Sequence, residues 1–294
     1  TDAQEQYVEF CKSITGSPDL SNLSLLLDCA NGATYSVAPK VFADLGATVE
    51  VISAEPDGIN INQNCGSTSP DSLIKAMSKG NYDLGIAFDG DGDRILIIGK
   101  SGKELDGDDL LYLLISSLSK QKRDLSKDGV VGTLMTNKAL ENYLQETNIN
   151  FIRTDVGDKY VLDSLLKYGW SLGGEPSGHI ICLDLVSTGD AIIAALKILD
   201  QIKDISFDVE RALEGFKRYP QTLINIKVKD TSRVIMNHTF RSALKDIETS
   251  LGDSGRVLIR PSGTEPLIRI MVESETAEVA DESARFLADL AASI

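Results

Sequence analysis

Cysteine is scarce, and the four present, Cys11, Cys29, Cys65 and Cys182, form no C-x-x-C pair. Neither a zinc site nor a disulfide framework is indicated, and a reducing cytoplasm fits best. Basic charge is also short: 29 Lys and Arg against 44 Asp and Glu leave a formal net charge of -15. A face that displaces condensed counterions is therefore missing, and nucleic acid is not an expected partner. No stretch reaches the roughly twenty apolar residues needed to cross a bilayer. The longest apolar runs, near residues 110–118 and 191–199, are broken by polar side chains and read as core helices, so no membrane association is expected. The chain opens on Thr1 rather than methionine and has no basic start followed by an apolar segment, which reads as a processed start or a piece of a longer protein. What remains is ordinary globular composition, with 42% hydrophobic and 25% charged residues, in a length that suggests two or three domains.

Periodicity organises the chain. Tyr7, Phe10, Cys11 and Ile14 share a helical face, and an apolar run over residues 23–27, closed by Asp28, reads as a buried strand. A second βα step over 37–45, a strand over 48–52, a long loop over 53–70, a short helix over 71–77 and strands over 83–88 and 95–98 complete an α/β domain spanning residues 1–102. The alternation repeats over 103–216, with strands at 130–134 and 150–153 and helices from 108, after 137, over 158–167, 190–202 and 207–216. From 217 to 294 the order changes to strand 223–228, helix 237–251, strands 256–260 and 267–272, and helix 278–292. The expected fold class is α/β: two consecutive α/β domains with mixed sheets, then a small α+β domain with an antiparallel sheet and helices.

Three loops can carry chemistry. Asp89, Asp91 and Asp93 alternate with Gly90 and Gly92, which would allow a tight coil with positive φ angles. Carboxylates so dense repel one another unless a cation neutralises them, and three hard oxygen donors with open positions suit Mg2+ shared with a phosphate. An EF-hand is excluded, because Arg94 stands where its glycine belongs and Lys100 where its last glutamate belongs. Arg94 adds a cation beside the metal. The second loop, Arg260-Pro261-Ser262-Gly263-Thr264-Glu265-Pro266 with Arg269 after it, combines hydroxyls, guanidinium groups and exposed amides, the donors a phosphate dianion requires. The third, Gly173 to His179, offers Glu175, Ser177 and His179 to sugar hydroxyls. Arg153 and Lys159, flanking Gly157 and Asp158 at a strand-to-helix junction, are further candidates. The bland alternatives are a solvated acidic turn, a hairpin loop, a surface turn and a solvated junction.

Together, in this order, the three loops resemble those of the α-D-phosphohexomutase superfamily. The stretches DCANGATY (28–35), PDGININ (56–62) and VVGTLM (130–135) are similar to its bacterial glucosamine-phosphate branch, whereas Pro176 departs from that branch. The resemblance implies Mg2+ on Asp89, Asp91 and Asp93, and Arg94 against the reacting phosphoryl group. It assigns Glu175, Ser177 and His179 to a sugar-selecting loop, and Arg260, Ser262, Gly263, Thr264 and Arg269 to a phosphate loop. The implied activity interconverts glucosamine 6-phosphate and glucosamine 1-phosphate through a phosphoserine and a bisphosphate intermediate, for UDP-N-acetylglucosamine and cell-wall precursors. Glucosamine 1,6-bisphosphate or a similar sugar bisphosphate would be the activator. Family members often dimerise, so a homodimer is the implied assembly. Phosphomannomutase or phosphoglucomutase activity is the rival within the fold. A noncatalytic sugar-phosphate binding protein is the rival outside it. An aspartyl-phosphate phosphatase is disfavoured, since Asp28 is followed by Cys29 and Ala30 rather than by a second aspartate in an Asp-x-Asp pair. The family's serine loop, Thr-x-Ser-His-Asn-Pro, does not occur; Ser17-Pro18 and Ser69-Pro70 lack the His-Asn. The expectation is domains two to four of a four-domain enzyme, without mutase turnover alone.

Overall fold

The computed structural model describes residues 2–120, 128–262 and 265–294. The chain divides into two compact units, one of residues 1–136 with 143–216, the other of residues 137–142 with 217–294.

The first unit contains two mixed sheets. Helix α1 (Asp2–Ile14) leads to β1 (Ser24–Asp28), α2 (Val37–Asp44), β2 (Thr48–Ile52), α3 (Asp71–Met77), β3 (Leu84–Phe88), β4 (Ile95–Gly99) and β5 (Glu104–Leu105). The strand order is β2-β1-β3-β4-β5, with β1 parallel to β2 and β3 and the last two pairings antiparallel. Every residue of β3 and β4 is buried, so these strands carry continuous apolar runs rather than alternation. Leu26, Leu73, Met77, Ala87, Leu96 and Ile98 form the core on one side of this sheet.

After α4 (Gly107–Lys120), the second sheet follows from β6 (Gly129–Thr133), α5 (Lys138–Glu146), β7 (Asn150–Thr154), α6 (Asp158–Tyr168), β8 (Leu172–Gly174) and β9 (Ile180–Cys182), in the order β7-β6-β8-β9. Helix α7 (Ala191–Ile202) buries nine of its residues, among them Ala191, Ile193, Leu196 and Leu199, which fits a helix apolar on nearly all sides. Asp190 caps it, accepting from the amides of Ile192 and Ile193 at 3.1 Å. Among the described residues no helix is long and apolar enough to cross a membrane.

The helix expected over 207–216 shrinks to α8 (Val209–Ala212). Ser206 and Phe207 both take positive φ, 60° and 58°, and Asp208 caps the next turn, so helical geometry starts only after them.

The second unit is a three-stranded antiparallel sheet, β10-β12-β11, built from β10 (Gln221–Lys227), β11 (Gly255–Pro261) and β12 (Leu267–Ser274). Helices α9 (Thr231–Met236), α10 (His238–Leu251) and α11 (Ala277–Ala292) complete it. Ile268, Ile270 and Val272 pack with Phe240, Ala284 and Leu287 into its core. Helix α9 was not legible as a separate element. Asp230 caps it and Asn237 caps α10, so α9 is an additional short helix ahead of the one expected over 237–251. The α/β, α/β, α+β sequence of elements is the expected one.

Candidate active site

The acidic loop is the connection between two buried antiparallel strands. Phe88 pairs with Ile95, so residues 89–94 must turn within the loop. Asp89 closes it: its Oδ1 accepts the amides of Asp93 (3.1 Å) and Arg94 (3.0 Å). Only Gly92 takes a positive φ, 78°, so the expectation for Gly90 is corrected. Gly90 is needed for space instead, because a Cβ there would lie 2.6 Å from Ile61 and 2.7 Å from Asn62. Likewise a Cβ on Gly32 would lie 2.2 Å from the Gly90 carbonyl oxygen, and the Ala33 amide donates to that oxygen at 2.8 Å.

A second layer holds this contact, and sequence reasoning did not find its anchor. Asp28 is fully buried at the end of β1; its Oδ1 accepts the Ala30 amide, and its Oδ2 accepts the Gly66 amide and the Ser72 hydroxyl. Around it Ala30, Asn31, Ser53, Asn62 and Asn64 all adopt positive φ between 48° and 58°. Left-handed non-glycine residues are costly one at a time, so a run of them persists only where surrounding bonds impose it. The DCANGATY and PDGININ stretches are thus the backbone cradle of the acidic loop: Asn62 N donates to Ala30 O at 2.9 Å and Asn31 N to Ser53 O at 2.6 Å.

Asp89, Asp91 and Asp93 each bring a carboxylate oxygen within 4.8 Å of the others. Burial, reinforced by Asp93 and Asp91 against the opposing hydrogen bond from Arg94, pushes the Asp89 carboxyl up to about 6. Asp93 Oδ1 is buried and accepts no hydrogen bond, with Arg94 Nε 3.8 Å away. Three converging hard donors, one of them an unsatisfied buried oxygen, fit a divalent cation such as Mg2+.

The loop of Glu175, Ser177 and His179 is the hairpin between β8 and β9, closed by Glu175 N to His179 O and Gly178 N to Glu175 O, both at 3.0 Å. It is joined to the acidic loop. Arg94 and His179 form an antiparallel bridge, Ile95 N donates to Gly178 O at 3.1 Å, and His179 Nδ1 lies 3.1 Å from Asp93 Oδ2. A carboxylate only accepts, so Nδ1 is the protonated ring nitrogen. A Cβ on Gly189 would press on the imidazole at 2.4 Å, so that glycine leaves room for the ring. Glu175 Oε1 accepts the Gly157 amide at 2.9 Å, tying the start of α6 to the same hairpin.

The result is a cavity of about 650 Å3 lined by Asp93, Arg94, Thr133, Met135, Val156, Gly157, Asp158, Glu175, Pro176, Ser177 and His179. Arg153 does not line it. Its guanidinium donates to the carbonyls of Thr133 and Thr136 and lies over the Phe151 ring, bracing the end of β6. Lys159 is exposed on α6 and also lies outside the lining.

The phosphate-loop candidates belong to the second unit. Arg260 and Arg269 stand directly opposite on β11 and β12, both exposed, and Ser262 N donates to Leu267 O at 2.9 Å. The Glu265 amide donates to Ser262 Oγ at 3.3 Å. Gly263 and Thr264 lie outside the described residues.

Comparison with known proteins gives the class first. Residues 5–102, 106–219 and 223–290 match the phosphoglucomutase/phosphomannomutase models for alpha/beta/alpha domain II, alpha/beta/alpha domain III and the C-terminal domain. The chain belongs to the phosphoglucomutase/phosphomannomutase family. Within it, phosphoglucosamine mutase of Nitrosococcus oceani is 48% identical over 289 residues, covering 98% of this chain and 63% of that protein. The Legionella pneumophila phosphoglucosamine mutase is 44% identical, with the same 98% and 63% coverage. The chain thus spans a little under two thirds of the length of these relatives. Among solved structures, Aspergillus fumigatus N-acetylphosphoglucosamine mutase, in complex with GlcNAc-6P and magnesium, superposes with a TM-score of 0.78 at 19% identity, covering 98% of this chain and 70% of that one. A phosphoglucomutase/phosphomannomutase family protein from Burkholderia thailandensis gives 0.79 at 22% identity, covering 98% and 64%. At such identities the structural likeness concerns the fold.

Proposed function

We propose that this chain carries the metal-, sugar- and phosphate-binding parts of a phosphoglucosamine mutase, which interconverts glucosamine 6-phosphate and glucosamine 1-phosphate. The observation behind this reading is the 3.1 Å contact between Asp93 and His179, which joins the acidic loop to the sugar-loop candidate on one cavity wall beside Arg94. The names of the relatives support the substrate class.

Asp89, Asp91 and Asp93 would hold Mg2+, which when bound acts as a Lewis acid on a phosphoryl oxygen. Arg94 donates to the phosphoryl group and offsets charge that develops on it. Glu175, Ser177 and His179 hydrogen-bond sugar hydroxyls and fix the ring; His179 is oriented through Asp93. Arg260, Ser262, Gly263, Thr264 and Arg269 hold the phosphate at the end that is not reacting. Arg260 and Arg269 stand directly opposite each other on adjacent strands, so both guanidinium groups can donate to one phosphate dianion. Arg153 serves through the loop it braces, and Lys159 stays at the periphery. The reading keeps three domains, 1–102, 103–216 and 217–294. The phosphoserine that exchanges phosphoryl groups, with a bisphosphate such as glucosamine 1,6-bisphosphate as intermediate and activator, lies outside these residues. The whole protein is read as a cytoplasmic enzyme, as a homodimer in the manner of its family.

Two measurements test this. Calorimetry with the chain, Mg2+ and glucosamine 6-phosphate is expected to show binding, and its absence would sink the reading. Coupled assays with an added sugar bisphosphate are expected to show no sustained conversion by the chain alone, and steady turnover would refute the part given to the phosphoserine. Pro176, on the cavity wall, keeps phosphomannomutase or phosphoglucomutase activity as the second reading, separated by comparing hexosamine and hexose phosphates.

A further inference from the structure

Three carboxylates line the cavity, and they are not equivalent. Asp93 meets His179 at 3.1 Å and belongs to the acidic triad. Glu175 is 8% exposed and its Oε1 accepts the Gly157 amide. Asp158, the first residue of α6, is exposed to the cavity opening and has no hydrogen-bond or ion-pair partner among the described residues. The one guanidinium on the wall, Arg94, is directed at the acidic loop instead, with Nε 3.7 Å from Asp89 and 3.8 Å from Asp93. One lining carboxylate is therefore left for a cation that none of the other described lining residues supplies.

Position is fixed as well as charge. Gly157 takes φ 136°, and its amide is held by Glu175, so the start of α6 and the sugar-loop candidate form one continuous wall. A hexosamine phosphate carries a single cation, its C2 ammonium, and Asp158 is the carboxylate of this wall that is not already engaged. We propose that Asp158 is the specificity-determining residue for the amino sugar, accepting a charge-assisted hydrogen bond from the 2-ammonium group. This rests on the mutase reading above. A hexose phosphate has a neutral hydroxyl at the same carbon and gives the carboxylate no ionic partner, so the discrimination is a difference in charge pairing rather than in fit. The plainer role of an acid in the first turn, complementing the helix dipole, acts on the fold and is indifferent to the sugar.

The test is calorimetric titration of the chain, in Mg2+, with glucosamine 6-phosphate and glucose 6-phosphate, for the wild type, Asp158→Asn and Asp158→Glu. The wild type should prefer the amino sugar by about tenfold, as expected for a charged hydrogen bond. Asp158→Asn should abolish that preference while leaving glucose 6-phosphate affinity within about twofold, and Asp158→Glu should retain part of it. Equal loss for both sugars, a preference that survives in Asp158→Asn, or no preference in the wild type would each overturn the role of Asp158 and leave the mutase reading standing. Binding of neither sugar phosphate by the wild type would overturn both.

Discussion

In the first unit the acidic residues are held by backbone: Asp89 is closed by its own loop, Gly90 is pressed by Gly32 and Ile61, and Asp28 ties down the segments behind. In the second unit Arg260 and Arg269 project from exposed positions on two strands. The same sheet shows the alternative: Arg256 opposes Glu273 across the same two strands and reaches it with two hydrogen bonds of 2.6 and 3.1 Å. A carboxylate site must be pre-assembled against repulsion before its cation arrives, so its cost is carried by packing. Two exposed guanidinium-bearing residues on a strand surface need no such pre-assembly.

The comparison can be broken most sharply at Glu273. This side chain is fully buried, and it also accepts the Lys138 amide at 2.9 Å. Glu273→Ala removes the buried carboxylate to which Arg256 and the Lys138 amide both donate, and is expected to cost about 3–5 kcal/mol, read from urea unfolding. Next comes Gly32→Ala, whose Cβ meets a carbonyl rather than a flexible side chain. A loss of about 3 kcal/mol, with weaker Mg2+ binding, is expected from denaturation and metal titration; an unchanged midpoint would mean that the cradle is soft. Arg269→Ala should do the opposite, shifting stability by no more than about 0.5 kcal/mol while weakening glucosamine 6-phosphate binding about tenfold or more in calorimetry.

The smallest effect concerns Asp190, which accepts from Tyr7 at 2.8 Å and caps α7. Burial raises its carboxyl above the ordinary range, against the hydrogen bonds from Ile193, Tyr7 and Ile192. A raised folded value means that the native state binds more protons than the unfolded chain between the two values. Its contribution is therefore full below the ordinary carboxylate range and is lost as pH rises through the raised value. Asp190→Asn keeps a good cap, so stability should stay within about 0.5 kcal/mol at low pH. Unfolding midpoints measured across pH should show a flatter profile for the variant than for the wild type.

Much of this was readable along the chain. The strand Thr48–Ile52 and the helix Asp71–Met77 fall where the apolar pattern puts them, because the inward faces, half-buried in the strand and buried in the helix, repeat at short range. The alternation of Asp89, Asp91 and Asp93 with glycine announced a cation loop, because charge density is a local property. The purpose of Asp28 was hidden. It accepts from Gly66 and Ser72, 38 and 44 residues away, and nothing near it in sequence distinguishes it from any acid at a strand end. Helix α9 went unread because it is only six residues long between the Asx caps Asp230 and Asn237, too short for a helical period to show.

The sequence by itself determined the kinds of chemistry available, hard oxygen donors in one loop and anion donors in another, and the order of the longer strands and helices, though not the short β5, β8, β9 and α9, since side-chain type and period show only in longer runs. Tertiary structure alone decided that Asp93 meets His179, that Arg153 braces a strand end instead of facing the cavity, and that Asp158 lines it with no partner among the described residues. Those outcomes depend on segments far apart in the chain packing at fixed distances, and no local pattern encodes a distance between two strands.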